Sequence, residues 1–142
     1  MDNIQLSKYV SLMGEEGKER YDGCYCVDEI KSFPSCGHFV IVNTIKLAEA
    51  RDGIMGHWTL FLKGDSIHDK NPEAPLIFFD PLGNPPENLT LINMISRNND
   101  YVLYNNYPLQ SIFSDTCGFH IVYVIFNYLK GIPIACRKRF IH

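Results

Sequence analysis

The sequence predicts an α+β domain in which a mixed or antiparallel sheet packs against one buried helix. Three observations carry this expectation: four short runs rich in β-branched and aromatic residues, a helix-period segment between the last two runs, and a long C-terminal stretch apolar almost all round. With 142 residues, 46% of them hydrophobic and 13% aromatic, the chain suits a single domain over residues 1–142 with a substantial core.

The elements follow in order. Ile4, Leu6, Tyr9, Val10 and Met13 stand close to helical spacing and Gly14 follows as a stop, so residues 4–13 read as a helix. The runs HFVIVNTI, GHWTLFL, PLIFFDP and YVLYNN are each bounded by turn formers and read as four strands. Between the last two, PPENLTLINMISRN opens with prolines and spaces Leu89, Ile92 and Ile95 three apart, which predicts an amphipathic helix over 87–97. The stretch CGFHIVYVIFNYLKG predicts a helix buried on every side, ended by Gly131 and Pro133. The basic run CRKRFIH at the C-terminus reads as a solvated tail.

Composition narrows the function classes. No stretch approaches about 18 uncharged apolar residues and the N-terminus is polar with an early acid, so neither a membrane span nor a secretory signal is expected. A soluble protein made in a reducing compartment is expected, because five cysteines is an odd number for a disulfide framework. A net charge of −3 does not suit broad nucleic-acid binding. Cys24, Cys26, Cys36 and His38 lack the paired two-residue gaps of zinc motifs and read as ordinary residues; no metal and no cofactor is expected. His120, three residues after Cys117, reads as a core histidine.

Four residues could together carry chemistry. If the last helix begins near Cys117, with Ser114, Asp115 or Thr116 as its cap, the thiol sits where unsatisfied backbone N–H groups and the helix dipole favour a thiolate. Gly118 leaves room for an incoming carbonyl. A cysteine nucleophile also needs a base, a group that orients the base, and donors for an oxyanion. His57 at the start of one strand, Asp80 at the end of the next and Gln110 in the loop before the helix supply those residue types. Taken singly, each has a plainer reading: His57 beside Trp58 as a structural residue, Asp80 before Pro81 as a turn cap, Gln110 as a solvated side chain and Cys117 as an inert core thiol.

Order and spacing add to this. GHWTLF, FFDPLG, PLQS and SDTCGFH, with FVIVNT upstream and YDGCYCVDEI before it, resemble the successive motifs of the adenovirus proteinase (adenain) family and its relatives in the ubiquitin-like-specific protease clan. The likeness covers residues 21–130. It implies an adenain-like, papain-like cysteine protease fold with His57 as general base, Asp80 as its orienting acid, Gln110 as oxyanion donor and Cys117 as nucleophile, and with Trp58 and Gly118 in support. The activity implied is an endopeptidase, viral or from a virus-like transposon, acting through a thioester on capsid or core precursor proteins at Gly-rich sites during virion maturation, in the virion and in the nucleus or cytoplasm of the infected host cell. The alternatives are a deconjugating protease for ubiquitin-like proteins and a non-catalytic binding module of the same fold. Such enzymes can be activated by a peptide disulfide-linked to a cysteine between the acid and the nucleophile. No cysteine lies between Asp80 and Cys117, so an activating peptide would bind non-covalently here, and the mildly acidic charge balance does not suit DNA as an activator.

Overall fold

The computed structural model describes residues 2–65, 67–108 and 118–141, together with the backbone of Cys117. The period-two side-chain alternation of its strands divides the apolar residues between two cores, one on each face of a single sheet. Phe39 and Ile41 of β2 (Phe39–Asn43), Leu60 and Leu62 of β3 (Trp58–Lys63) and Ile77 and Phe79 of β4 (Leu76–Phe79) enter one core. Val40, Val42, Phe61, Leu76 and Phe78 enter the other. Because both faces are covered, these three strands are apolar along nearly their whole length, which is why they were readable as continuous runs.

Two further strands were not expected. β1 (Tyr21–Cys26) precedes β2 and pairs with it in parallel, and β6 (Arg137–Phe140) pairs antiparallel with β5 (Tyr101–Tyr104). The sheet therefore has six strands in sequence order, with β1/β2 and β4/β5 parallel and the other pairs antiparallel. The protein is a small α+β fold with a mixed sheet. The basic run expected as a solvated tail is the edge strand β6: its side chains are exposed, but its backbone is paired. Exposed lysine and arginine are what an edge strand tolerates, and they discourage pairing with another chain.

The helices divide between the faces. α1 (Asn3–Ser11) starts on a capping box, in which the Gln5 N–H donates to Asp2 Oδ1 at 2.8 Å and the Asp2 N–H to Gln5 Oε1 at 2.9 Å. It ends at Ser11 with Leu12 as its C-cap, short of the expected 4–13, and Gly14, with φ +84°, opens a second helix, α2 (Gly14–Arg20), instead of a loop. A short α3 (Leu47–Arg51), also unforeseen, lies between β2 and β3. α4 (Leu89–Ser96), capped by Asn88, covers the second core with Leu91 and Ile95. The expected stripe of Leu89, Ile92 and Ile95 is only partly right, since Leu89 is 74% exposed. A strict spacing of three drifts around a 3.6-residue helix, whereas the four-residue step from Leu91 to Ile95 stays on one side.

α5 (Cys117–Leu129) forms as predicted but is not buried on every side. Ile121, Val124, Ile125 and Tyr128 fill the first core, while Phe119 and Tyr123 are each 58% exposed and Phe126 also faces outward. Uniform hydropathy shows only that every face tolerates burial. Here the sheet takes one face and α1 borders another, with Tyr9 edge-on to Phe119.

Candidate functional site

β3 and β4 run antiparallel, so the start of one and the end of the other meet at the same end of the sheet. Their ladder ends there at Leu60 opposite Phe79, and His57 and Asp80 lie just beyond that pair. His57 Nε2 is 2.5 Å from Asp80 Oδ1, the imidazole partly buried and Asp80 only 7% exposed. An ionised carboxylate can only accept, so Nε2 carries the shared proton, and a neutral ring then holds its lone pair at Nδ1. Such a histidine is oriented to act as a base through Nδ1.

Both partners are held by their backbones. The His57 N–H donates to Thr44 Oγ1 at 3.1 Å, and the Thr44 N–H donates to the His57 carbonyl at 3.0 Å. Gly56 passes so close to the carboxamide of Asn43 that a Cβ at that position would overlap it. Trp58 opens β3 opposite Asn43 and packs on the first core. Asp80 Oδ1 also accepts from the Leu82 N–H at 2.9 Å, and its carbonyl accepts from the Gly83 N–H at 2.8 Å. The plain turn-cap reading of Asp80 is therefore correct, and the same oxygen meets His57, since a carboxylate oxygen has two lone pairs.

Sequence reasoning missed Asn105. It is fully buried at the end of β5 and its carboxamide clasps Asp80, with Oδ1 accepting from the Asp80 N–H at 2.9 Å and Nδ2 donating to the Asp80 carbonyl at 2.6 Å. Nothing in YVLYNN separates Asn105 from Asn106, because asparagine after a strand is an ordinary turn former.

Helix α5 packs on β3, and near its C-terminal end the Tyr128 hydroxyl donates to the carbonyl of Lys63, the last residue of that strand. That contact holds the C-terminal end of α5 at the Lys63 end of β3. Gly118 is buried in the first turn of α5. Gln110 and the candidate caps Ser114, Asp115 and Thr116 lie outside the described residues, as does the side chain of Cys117.

A groove of about 760 Å³ opens beside His57, with Asn43, Gly56, Trp58, Cys24, Cys26 and Met55 among its lining residues. Burial, above all, pushes the Cys24 thiol up to about 12, and burial likewise raises Cys26. The Cys36 thiol donates to the Asn71 carbonyl at 2.7 Å, and His38 Nδ1 lies 2.9 Å from Asp22 Oδ1. Among the described residues no three His, Cys, Asp or Glu side chains are grouped to hold a metal ion, and no helix is long and apolar enough to cross a membrane. No protein-family model matches the chain, and no curated protein matches it either.

Proposed function

We propose that this chain is a cysteine endopeptidase of viral or virus-like transposon origin, with an adenain-like, papain-like fold, that cleaves capsid or core precursor proteins at Gly-rich sites during virion maturation in the virion and infected cell. The observation that carries the proposal is the contact of His57 Nε2 with the nearly buried Asp80, which leaves Nδ1 as the basic nitrogen. Substrate class and viral origin rest on the motif resemblance, and the groove beside His57 is of a size to take several residues of an extended peptide.

In the proposed reaction His57 Nδ1 takes the proton of the Cys117 thiol, and the sulfur attacks the scissile carbonyl carbon. The Gln110 amide and the Cys117 backbone N–H donate to the oxyanion. The intermediate collapses as His57 gives its proton to the leaving amine, producing a thioester. Water, deprotonated by His57, then releases the acid and regenerates the thiol. Asp80 holds the ring and stabilises the imidazolium in both halves. An activating peptide, if the enzyme uses one, binds non-covalently.

The test is hydrolysis of a Gly-Gly-containing precursor peptide by the purified chain. Cleavage that disappears in Cys117→Ala and His57→Ala proteins of native circular dichroism supports the reading. Full activity in the Cys117→Ala protein overturns it.

A further inference from the structure

We infer that Asn105 is the positioning residue of this site: its carboxamide sets the angle at which Asp80 meets His57 and ties that pair to the chain beyond β5. The inference rests on the cysteine-protease reading for its kinetic consequence, though not for its geometry.

The backbone ladder between β4 and β5 ends at Phe78 opposite Tyr104. Beyond that pair Asp80 no longer has a β5 backbone rung, and the side chain of Asn105 takes over. Its oxygen accepts from the Asp80 N–H at 2.9 Å and its nitrogen donates to the Asp80 carbonyl at 2.6 Å, so the peptide groups on both sides of Asp80 are gripped by one planar amide. With both groups held, the direction of the Asp80 Cα–Cβ bond is set, and with it the approach of the carboxylate to His57. The second Nδ2 proton goes to the Tyr107 carbonyl at 3.1 Å. There the chain runs against Gly83, where a Cβ would come within 2.8 Å of the Tyr107 carbonyl carbon and 2.9 Å of the Pro108 nitrogen. One fully buried amide therefore uses both donors and its acceptor to join the acid to the chain at Tyr107. A side chain whose task was only to fill space here would be apolar, because a buried amide is tolerated only when its bonds are made.

The variant Asn105→Asp has the same shape and keeps an acceptor for the Asp80 N–H, but loses both donors and sets a carboxylate against two carbonyl oxygens. It is expected to lower kcat for a Gly-Gly peptide by about 30- to 300-fold, with KM changed less than about threefold. The second readout needs no activity. In Cys117→Ala protein with ¹⁵N-labelled histidine, long-range ¹H–¹⁵N spectra are expected to show His57 as the Nε2–H tautomer, and the added Asn105→Asp change to mix the tautomers. If Asn105→Asp does not fold, Asn105→Ser, smaller and uncharged, is read in the same two ways. An unchanged His57 tautomer, with kcat falling only as far as the folded fraction falls, overturns the inference. If the unaltered chain cleaves nothing, the protease reading fails separately and the tautomer result alone decides whether Asn105 positions the pair.

Discussion

His57 Nε2 and Asp80 Oδ1 stand 2.5 Å apart, although they are 23 positions apart in the chain. The antiparallel β3/β4 ladder produces that approach, and the carboxylate is nearly buried. Replacing Asp80 by Asn keeps an acceptor for the Leu82 N–H but favours the wrong imidazole tautomer. Peptide hydrolysis by Asp80→Asn should fall by about 10²- to 10⁴-fold with the far-ultraviolet spectrum unchanged. A loss below threefold would mean that the pair is structural.

The oxyanion role proposed for Gln110 has a separate kinetic signature. Gln110→Ala should slow turnover by about 10²- to 10³-fold with little change in KM, because a donor aimed at the tetrahedral oxygen acts mainly in the transition state. Steady-state kinetics on the same peptide decide this, and a rise in KM alone would assign Gln110 to substrate binding.

The thiols should react unequally. Burial pushes Cys24 up to about 12 and Cys136 up to about 11, so at pH 7 about one thiol in 10⁴ or fewer is ionised at either position. Iodoacetamide at pH 7 should alkylate Cys117 at least about 10²-fold faster than Cys24 or Cys136, as followed by peptide mass spectrometry. Equal rates would mark Cys117 as an ordinary thiol.

Alkaline pH should weaken the fold through Cys24. The folded chain favours the protonated thiol, and its titration moves from an ordinary 9.0 to about 12. That stabilisation is complete below about pH 9 and is lost as pH rises toward 12, by at most about 1.4 kcal/mol per unit. Tyr21, hydrogen-bonded to Ser7 and also raised chiefly by burial, adds in the same direction. Thermal melts of Cys24→Ala between pH 8.5 and 10.5 should lose less Tm than the unaltered chain. Parallel losses would exclude Cys24 as a source.

Gly83→Ala tests the approach of two loops. The residue has φ +82° and its added Cβ would strike backbone atoms of Tyr107 and Pro108, which cannot yield as a flexible side chain would. Destabilisation by about 1–3 kcal/mol is expected in urea unfolding. Gly53, with a similar φ and nothing within 4 Å of the added carbon, should cost no more than the conformational part of that.

Much of the fold was legible where one principle dominated locally. β2, β3, β4 and β5 show as apolar, β-branched or aromatic runs, and α4 and α5 show as helical periods next to prolines and glycines. β1 and β6 were not legible, because YDGCYC carries a bulge near Gly23 and RKRF carries three positive charges. Their pairing is supplied by neighbours already in the sheet. Periodicity also overstated burial on α5, since hydropathy does not say how many faces of a helix find a partner.

The sequence by itself determined which residues have the chemistry for a site: a histidine, a carboxylate, an amide and a thiol, each at the edge of a run that reads as a strand or a helix. Only the tertiary structure decided that His57 and Asp80 touch, through which ring nitrogen, and that Asn105 grips the acid from behind. The reason is physical. Residue types and local periods are properties of short stretches of chain, whereas a contact of a few ångströms between strand ends depends on the pairing register, and a buried amide acquires its role from the backbone groups left unpaired where the ladder stops.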